Sequence, residues 1–294
     1  MTKKVGFICV GVQKAGTSTL HDILKQHPDI NLPDLKETHF FRDEDKFKLG
    51  LDHYFKFYFT DFTGTVSGEI DPEYSFFESC ASRLKESFSE LKVIFILRNP
   101  VDRAYSHYMM TRRRGLEDLT FNEAVKKESK RLIDNYSKIH FSYIARGQYL
   151  QQIERFEELF GKKNMRIYLF EDLVNETDKT IQDLTEFIGL CKYKYDFDIQ
   201  SNPASEVRSK ILRDFIYRPN RLKKSVGSII PSKKLKDKIM IYLDQKNLKQ
   251  EQTPPLESST KAEVYTRFFK GMIPKLEQKL DRDLSSWKYK AEDS

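Results

Sequence analysis

Three groups of polar residues combine side chains that could bind an anionic group or transfer a proton. The first is GVQKAGTSTL at residues 11–20, in which a lysine, glycines and hydroxyl residues follow an apolar segment. The second is KETHFF at 36–41, with a glutamate and a histidine two residues apart. The third is RNPVDRAYSHY at 98–108, with an arginine directly after another apolar segment. The first and third groups have the chemistry of phosphate binding.

The first group lies between a predicted strand and a predicted helix. The apolar run at residues 5–10 indicates a buried strand, and residues 20–24 have helical spacing. At such a junction, free backbone N–H groups and the positive end of the helix dipole point at one place. The sequence therefore predicts a loop that holds a phosphate ester.

The loop is similar to a P-loop in spacing but differs from it in chemistry. Gly11 and Gly16 stand as in G-x-x-x-x-G. However, Thr17 and Ser18 follow where a P-loop requires Lys-Ser/Thr, and the lysine comes early, at Lys14. A nucleoside-triphosphate kinase, which needs the later lysine, is therefore disfavoured.

Strands that alternate with helices predict an α/β fold with a central parallel sheet flanked by helices. We expect one domain over 1–294, with the sheet in about 4–200 and a mostly helical, strand-free extension over 201–294. Ligands of such sheets bind at the carboxyl ends of strands, where Lys14 and Arg98 both fall. Besides the strand at 5–10, we predict strands at 65–71, 92–97 and 165–170, and a short strand or loop within 31–41. We predict helices at 52–59, 76–88, from 100, 120–131, 143–160, 177–188 and 258–280. Asn175 or Thr177 should cap the helix at 177–188, and Trp287 should pack after the last helix.

Composition favours a soluble protein of a reducing compartment. The chain has 294 residues, and its three cysteines lack metal-site or redox spacing. No apolar run approaches the roughly 20 residues of a membrane span. The first residues lead directly into a strand without a signal-peptide layout. We therefore expect a cytoplasmic protein.

The chain is basic, with a formal net charge of +7. Such charge suits nucleic acid, a membrane surface, a polyanionic ligand or solubility alone. Arginines at 112–114 and a Lys/Arg-rich segment at 208–249 are the candidate surfaces for an acceptor or for peripheral membrane contact. No platform of stacking aromatic residues is evident, so we do not expect a nucleic-acid partner.

The three motifs, in this order and spacing, resemble the sulfotransferase family that uses 3′-phosphoadenosine 5′-phosphosulfate (PAPS). The likeness is closest to the heparan-sulfate and bacterial carbohydrate branch. Two further stretches are similar to that branch, RGQY at 146–149 and RDLSSW at 282–287. The resemblance spans roughly residues 5–290 and implies a P-loop-like sulfotransferase fold. It also implies PAPS as donor, 3′-phosphoadenosine 5′-phosphate (PAP) as product, and no metal.

The resemblance assigns a donor site to the first and third motifs. Lys14 would stabilise charge on the leaving phosphate oxygen. Arg98 and Ser106, which is about two helical turns past the strand end, can face one phosphate, and the family assigns this pair to the 3′-phosphate. The implied donor-binding residues are Lys14, Ala15, Gly16, Thr17, Ser18, Thr19, Arg98 and Ser106.

The second motif supplies the implied base. Glu37 matches the family's catalytic glutamate and His39 the nearby histidine. In an extended segment the two side chains would point to the same side, so a joint role is possible. The alternative for Glu37 is a salt bridge to Lys36 or Lys14, and for His39 a purely structural position.

Two departures from the branch affect the acceptor side. Arg42 stands where an acidic residue is typical, and the branch's Lys-Thr-Pro motif is Ile70-Asp71-Pro72 here, so its lysine is missing. Glu69 or Asp71 could contribute an acceptor contact or an alternative base. We therefore expect sulfuryl transfer to a hydroxyl of a carbohydrate, glycolipid or polysaccharide precursor. A secondary metabolite is the alternative acceptor, and a kinase or a non-catalytic nucleotide-binding protein the alternative class.

Overall fold

A parallel five-stranded sheet forms the centre of the protein. The computed structural model describes residues 4–59, 64–198 and 254–289, and within 199–253 only 205–207, 209, 213, 216–217, 243 and 247–250. The strands lie in the order β2-β3-β1-β4-β5. Their bounds are β1 Val5–Gly11, β2 Ile30–Asn31, β3 Val66–Ile70, β4 Lys92–Leu97 and β5 Met165–Leu169.

Helices cover both faces of this sheet, as its apolar strands require. β1 and β4 are buried along almost their whole length, which is typical of strands in a parallel sheet covered on both faces. The predicted α/β class is confirmed. The helices up to residue 200 are α1 Thr17–Leu24, α2 Glu44–Phe47, α3 Gly50–Tyr58, α4 Glu78–Ser87, α5 Pro100–Arg113, α6 Phe121–Arg131, α7 Asn135–Phe141, α8 Tyr149–Phe160, α9 Phe170–Asn175 and α10 Thr177–Phe187.

The strand order opens a crevice at one edge of the sheet. β1 pairs in parallel with both β3 and β4. The chain leaves β1 toward β2 on one side of the sheet, and it leaves β4 toward β5 on the other side. Loops that diverge in this way leave a ligand crevice at the carboxyl ends of the two strands. The crevice therefore lies between the loops after β1 and β4.

The C-terminal part differs from the sequence-based prediction in two ways. The prediction that the region beyond residue 200 contains no strand was wrong, because β6 Ser205–Val207 and β7 Leu248–Gln250 form an antiparallel pair. Three residues are too few to show the alternation by which a strand is recognised. Of the basic segment 208–249, nearly all residues lie outside those that the structure describes.

The single helix expected at 258–280 is also interrupted. α11 Ser258–Val264 continues as a π-helical turn, Tyr265–Phe269, and a new helix, α12 Ile273–Leu280, follows. Pro274 in the first turn of α12 explains the break, because proline cannot continue a preceding helix. The packing predicted for Trp287, in the turn Ser285–Trp287, is confirmed by its burial.

Two further helix boundaries were predicted incorrectly. The helix expected at 143–160 starts only at Tyr149, because the 3₁₀ turn Ala145–Gly147 precedes it. Neither Asn175 nor Thr177 caps α10, since the Thr177 hydroxyl instead donates to the Leu173 carbonyl of the preceding helix at 2.8 Å. Among the helices that the structure describes, none is long and apolar enough to cross a membrane.

Candidate functional site

The site begins where the two central strands end. Lys14 follows β1 and Arg98 follows β4, and the guanidinium of Arg98 donates from Nη1 to the Lys14 carbonyl oxygen at 3.0 Å. The two cations that the sequence placed at strand ends are therefore brought together. Their contact ties the loop after β1 to the loop after β4.

The loop after β1 presents unpartnered N–H groups at the start of α1. Gly16 caps the helix in the left-handed region at φ 82°, no side chain caps it, and its first turn holds no acidic residue. Among the described residues, the N–H groups of 16–19 find no hydrogen-bond acceptor. Gly11 lets the loop approach Ser75, whose Oγ lies 2.5 Å from where a Cβ would stand. This loop fits the phosphate group that the sequence predicts there.

Lys14 adds a partly buried ammonium to this loop. Burial, joined by the nearby charges of Arg113 and Arg114, lowers its pKa to about 8, while Glu37 acts in the opposite direction. The ammonium makes no hydrogen bond to any residue in the described ranges. Lys14 thus lies within electrostatic reach of Glu37 and of the arginines that end α5. An anion bound here would be stabilised by this concentration of positive charge.

Packing holds Arg98 in one orientation. Its guanidinium lies over the ring of Phe170 with 4.8 Å to the centroid, and its carbonyl accepts from the Tyr149 hydroxyl at 2.7 Å. Tyr149 packs against Trp287, with 6.3 Å between ring centroids. The hydroxyl of Ser106, on α5, is partly exposed and forms no hydrogen bond with Arg98. Ser106 and Arg98 are therefore not joined directly.

Buried aromatic residues anchor the loop 36–41. Phe40 and Phe41 are fully buried, and the ring of Phe41 meets that of Tyr74 edge to face at 5.6 Å. Thr38 is also buried, and its hydroxyl and N–H both donate to Glu69 Oε1, at 2.6 and 3.2 Å. The inward residues of the loop thereby fix the outward ones, which are the candidate catalytic residues.

Glu69 is the polar centre of this anchor. Besides the two groups of Thr38, it accepts from the hydroxyls of Tyr54 at 2.6 Å and Tyr74 at 3.0 Å. Burial and the neighbouring Asp71 raise its pKa to about 7. Glu69 is enclosed by its own donors, so its contribution is to hold the loop rather than to reach a substrate.

Glu37 and His39 do not lie on an extended strand, and that expectation was wrong. Both residues adopt positive φ, 60° and 54°, while Thr38 between them turns inward. Such φ values are uncommon for residues other than glycine, and the buried contacts of the loop hold them in place. Both side chains remain partly exposed, 33% for Glu37 and 28% for His39.

The salt bridge considered for Glu37 exists. Its carboxylate pairs with the ammonium of Lys36, and although burial alone raises the pKa of Glu37, Lys36 and His39 outweigh it and hold the pKa below its usual value. Glu37 is therefore ionised at neutral pH and interacts electrostatically with Lys14 and His39.

Asp71 follows β3, the other neighbour of β1, and holds His39. The His39 N–H and ring Nδ1 lie 2.8 and 2.9 Å from Asp71 Oδ2. Asp71 is fully buried and also accepts from the Glu73 N–H at 3.2 Å. Because its oxygens are occupied and its pKa is lowered by His39 against the effect of burial, Asp71 is a poor base.

Glu73 is a site residue that the sequence-based reasoning missed. It pairs with Arg42 and lies 3.3 Å from the buried guanidinium of Arg146 and 3.8 Å from His39 Nδ1. Its place just past β3 is the signal that could have revealed it. Arg42, noted as a departure from the resembled branch, thus has a local acidic partner.

The predicted arginine surface at 112–114 lies beside the site. Arg112 donates to the Tyr108 hydroxyl at 2.9 Å, and Arg114 lies 5.2 Å from the ring centroid of Tyr217. Arg113 and Arg114 act on the pKa of Lys14, so the end of α5 faces the phosphate loop. Within the described ranges, the structure contains no group of three His, Cys, Asp or Glu residues that could hold a metal ion.

A parallel five-stranded sheet with a lysine loop after β1 and an arginine after β4 fits the sulfotransferase class. The chain belongs to the sulfotransferase domain family, whose model matches residues 6–251. A solved sulfotransferase from Alicyclobacillus acidocaldarius is similar over 97% of this chain and 99% of its own, with a TM-score of 0.67 and 26% identity.

Curated relatives point to the same family. The chain is 27% identical to the human heparan sulfate glucosamine 3-O-sulfotransferase 3B1 over 226 residues, 76% of this chain and 56% of that protein. It is also 27% identical to the mouse heparan sulfate glucosamine 3-O-sulfotransferase 5 over 186 residues, 62% of this chain and 53% of the relative. The chain thus spans about half the length of these relatives.

Proposed function

We propose that the protein transfers a sulfuryl group from PAPS to a hydroxyl of a carbohydrate, glycolipid or polysaccharide precursor. One observation carries the proposal. The Arg98 guanidinium meets the Lys14 carbonyl beside N–H groups that begin α1 and that find no acceptor in the described part of the chain. That combination suits a donor with phosphate groups at both ends of a nucleoside.

The donor side is assigned to the loop after β1 and to α5. The N–H groups of 16–19 and the hydroxyls of Thr17 and Ser18 would hold the 5′-phosphate, with the Lys14 ammonium next to the oxygen that leaves with it. The N–H of Ala15, expected to join them, instead donates to the Val12 carbonyl at 3.2 Å. Arg98 would hold the 3′-phosphate, and Ser106 would add a hydroxyl. PAPS, when bound, supplies the sulfuryl group and the leaving phosphate.

Glu37 is the proposed base. In an in-line displacement, the acceptor oxygen forms a bond to sulfur while the bond between sulfur and the bridging phosphate oxygen breaks. The hydroxyl proton passes to the Glu37 carboxylate, and PAP leaves with the electron pair of the broken bond. The ion pair with Lys36 supports this role because it keeps Glu37 ionised while a third of its side chain stays accessible.

The proposed acceptor class rests on the relatives. Proteins named for sulfation of heparan sulfate glucosamine are 27% identical to this chain, which favours a carbohydrate hydroxyl. The buried, uncharged Ile70 and the Arg42–Glu73 pair distinguish the acceptor side from the resembled branch. A secondary metabolite therefore remains the alternative acceptor. Radiolabelled PAPS with a panel of glycans, including heparan sulfate, and small hydroxyl compounds would discriminate between them.

Two further proposals concern the setting of the enzyme. A cytoplasmic location and a peripheral membrane contact through the basic segment 208–249 follow from the sequence alone. Cell fractionation tests the first. Co-sedimentation with anionic and neutral vesicles tests the second, and equal binding to both vesicle types would contradict an electrostatic contact.

Calorimetry and one substitution test the activity. PAP should bind without magnesium and more tightly than ATP with magnesium, whereas the reverse order would indicate a kinase. Glu37→Gln should lower transfer by about 10²- to 10⁴-fold, the range of general-base catalysis, and leave PAP affinity unchanged. Glu90→Gln is the matched control, since Glu90 also pairs with a lysine, at 2.6 Å from Lys4, but on the exposed surface. An active Glu37→Gln enzyme would move the base to His39, because Asp71 is fully buried with its oxygens occupied.

A further inference from the structure

His39 is held by one buried carboxylate through two separate groups. Its backbone N–H and its ring Nδ1 both lie within 2.9 Å of Asp71 Oδ2. The other ring nitrogen, Nε2, has no hydrogen-bond partner among the described residues, and 28% of the side chain is exposed. The ring is therefore oriented with Nδ1 fixed against the buried carboxylate and with Nε2 without a partner among the described residues.

The charges around the ring favour its cationic form. Glu73 is compensated by Arg42 and Arg146, whereas His39 is the one titratable cation hydrogen-bonded to Asp71 in the described part of the chain. A fully buried carboxylate is stable only when it is paired. Deprotonation of His39 would leave Asp71 without a counter-charge, so the buried carboxylate holds the proton on the ring.

The surrounding charges therefore shift the pKa values of Glu37 and His39 in opposite directions. Burial alone lowers the pKa of His39, but Asp71 and Glu73 outweigh burial and Arg42 and raise the pKa above its usual value. Lys36 and His39 hold the pKa of Glu37 down. Neighbouring groups with opposite shifts take opposite roles, one as base and one as donor.

We propose that Asp71 is a positioning residue that keeps His39 as an imidazolium, whose Nε2–H donates a hydrogen bond to the sulfuryl group during transfer. This inference rests on the proposed function. His39 moves no proton in this role, because the acceptor proton passes to Glu37. The imidazolium would stabilise negative charge on the sulfuryl oxygens through its Nε2–H, since Nε2 has no hydrogen-bond partner among the described residues.

An NMR titration of the His39 ring tests the charge directly, without any acceptor. In the unaltered protein His39 should titrate above the ordinary histidine pKa of about 6.5. In Asp71→Asn, burial and Arg42 remain but the counter-charge is lost, so the proton affinity of His39 should fall at least tenfold. Asp183→Asn is the control, because Asp183 is a half-exposed residue of α10 that accepts from the Tyr168 hydroxyl at 2.6 Å. A His39 that titrates at or below 6.5 in the unaltered protein would overturn the proposal.

The pH profile of catalysis separates a donor from a base. With saturating PAPS, the rate of PAP release should decline as pH rises through the His39 pKa. Asp71→Asn should move that decline to lower pH by the same amount as it lowers the His39 pKa in the NMR titration. His39→Gln, which keeps a neutral donor, should retain more activity than His39→Ala and lose the decline. Equal inactivity of both variants, or a rate that rises as His39 deprotonates, would instead make His39 a base.

The two proposals fail in distinguishable ways. If the protein does not bind PAP, the proposed function is wrong, but the NMR titration still decides whether Asp71 keeps His39 charged. If PAP binds and His39 titrates normally, the proposed function stands and the inference is wrong. Should Asp71→Asn not fold, the titration of the unaltered protein and the comparison of His39→Gln with His39→Ala decide the question.

Discussion

Replacement of Arg98 by lysine should weaken PAP binding because contacts to the 3′-phosphate are lost. A guanidinium has five N–H donors in a planar fork. In the structure Nη1 donates to the Lys14 carbonyl at 3.0 Å, and no other donor of Arg98 has a hydrogen-bond acceptor among the described residues. The remaining donors are available for the 3′-phosphate. Lysine keeps the positive charge but loses the fork and the anchoring bond to the loop.

The expected size follows from the bonds that are lost. One charge-assisted hydrogen bond contributes about 1.5–3 kcal/mol, and about 1.4 kcal/mol corresponds to a factor of ten in affinity. Arg98→Lys should therefore weaken PAP binding by roughly 10- to 100-fold. The same substitution should weaken the binding of adenosine 5′-phosphate, which lacks the 3′-phosphate, much less than the binding of PAP.

Calorimetry with both nucleotides and a matched control makes the test decisive. Arg166 also stacks on a phenylalanine, 4.5 Å from the Phe187 centroid, and donates to the Met165 carbonyl at 3.3 Å, but it lies at the start of β5. Arg166→Lys loses comparable packing at the amino end of a strand, away from the carboxyl ends that form the site, so its PAP affinity should be unchanged. If Arg98→Lys weakened both nucleotides equally, or neither, Arg98 would not be the 3′-phosphate ligand.

Two further predictions concern the phosphate loop. Because burial lowers the pKa of Lys14 to about 8 in the free protein, PAP affinity should fall as pH rises above 8, by up to about tenfold per pH unit. Calorimetry in Lys14→Arg should show no such fall, and a flat profile in the unaltered protein would contradict the role of the ammonium. Gly16→Ala should lower the free energy of unfolding by about 1–2 kcal/mol and also weaken PAP binding, because φ is 82° and its Cβ would stand 3.1 Å from Phe170. Gly189→Ala, at φ 89° with no atom within 4 Å of the added Cβ, should lower the stability in urea without weakening PAP binding. Equal effects of the two substitutions on PAP binding would contradict a phosphate-binding role for the loop after β1.

The sequence predicted those parts of the site that depend on local pattern. Lys14 and Arg98 each follow an apolar run that is recognisable as a strand from its local sequence, so their places at the carboxyl ends of strands were predictable. The conformation of the loop 36–41 was not. Its positive φ values depend on Thr38 and Glu69, which are 31 residues apart in sequence and meet only in the folded protein.

The role of β3 was only partly predictable for the same reason. Asp71 was considered as a contact or a base, but the structure shows it fully buried against His39. Glu73 received no attention because its partners, Arg42 and Arg146, lie 31 and 73 residues away. Charges paired over such separations leave no periodic signal in the sequence.

The C-terminal support of Arg98 has a consequence for the order of assembly. Tyr289 accepts from the side chain of Asn99 across 190 residues, and Trp287 packs on the Tyr149 that holds the Arg98 carbonyl. All five strands of the central sheet precede both aromatic residues, so during synthesis the sheet can form before the nucleotide site has its full support. PAP would then stabilise the finished molecule selectively, by an amount that grows with its concentration relative to its dissociation constant. Nucleotide affinity thus reports whether the first and last parts of the chain have joined.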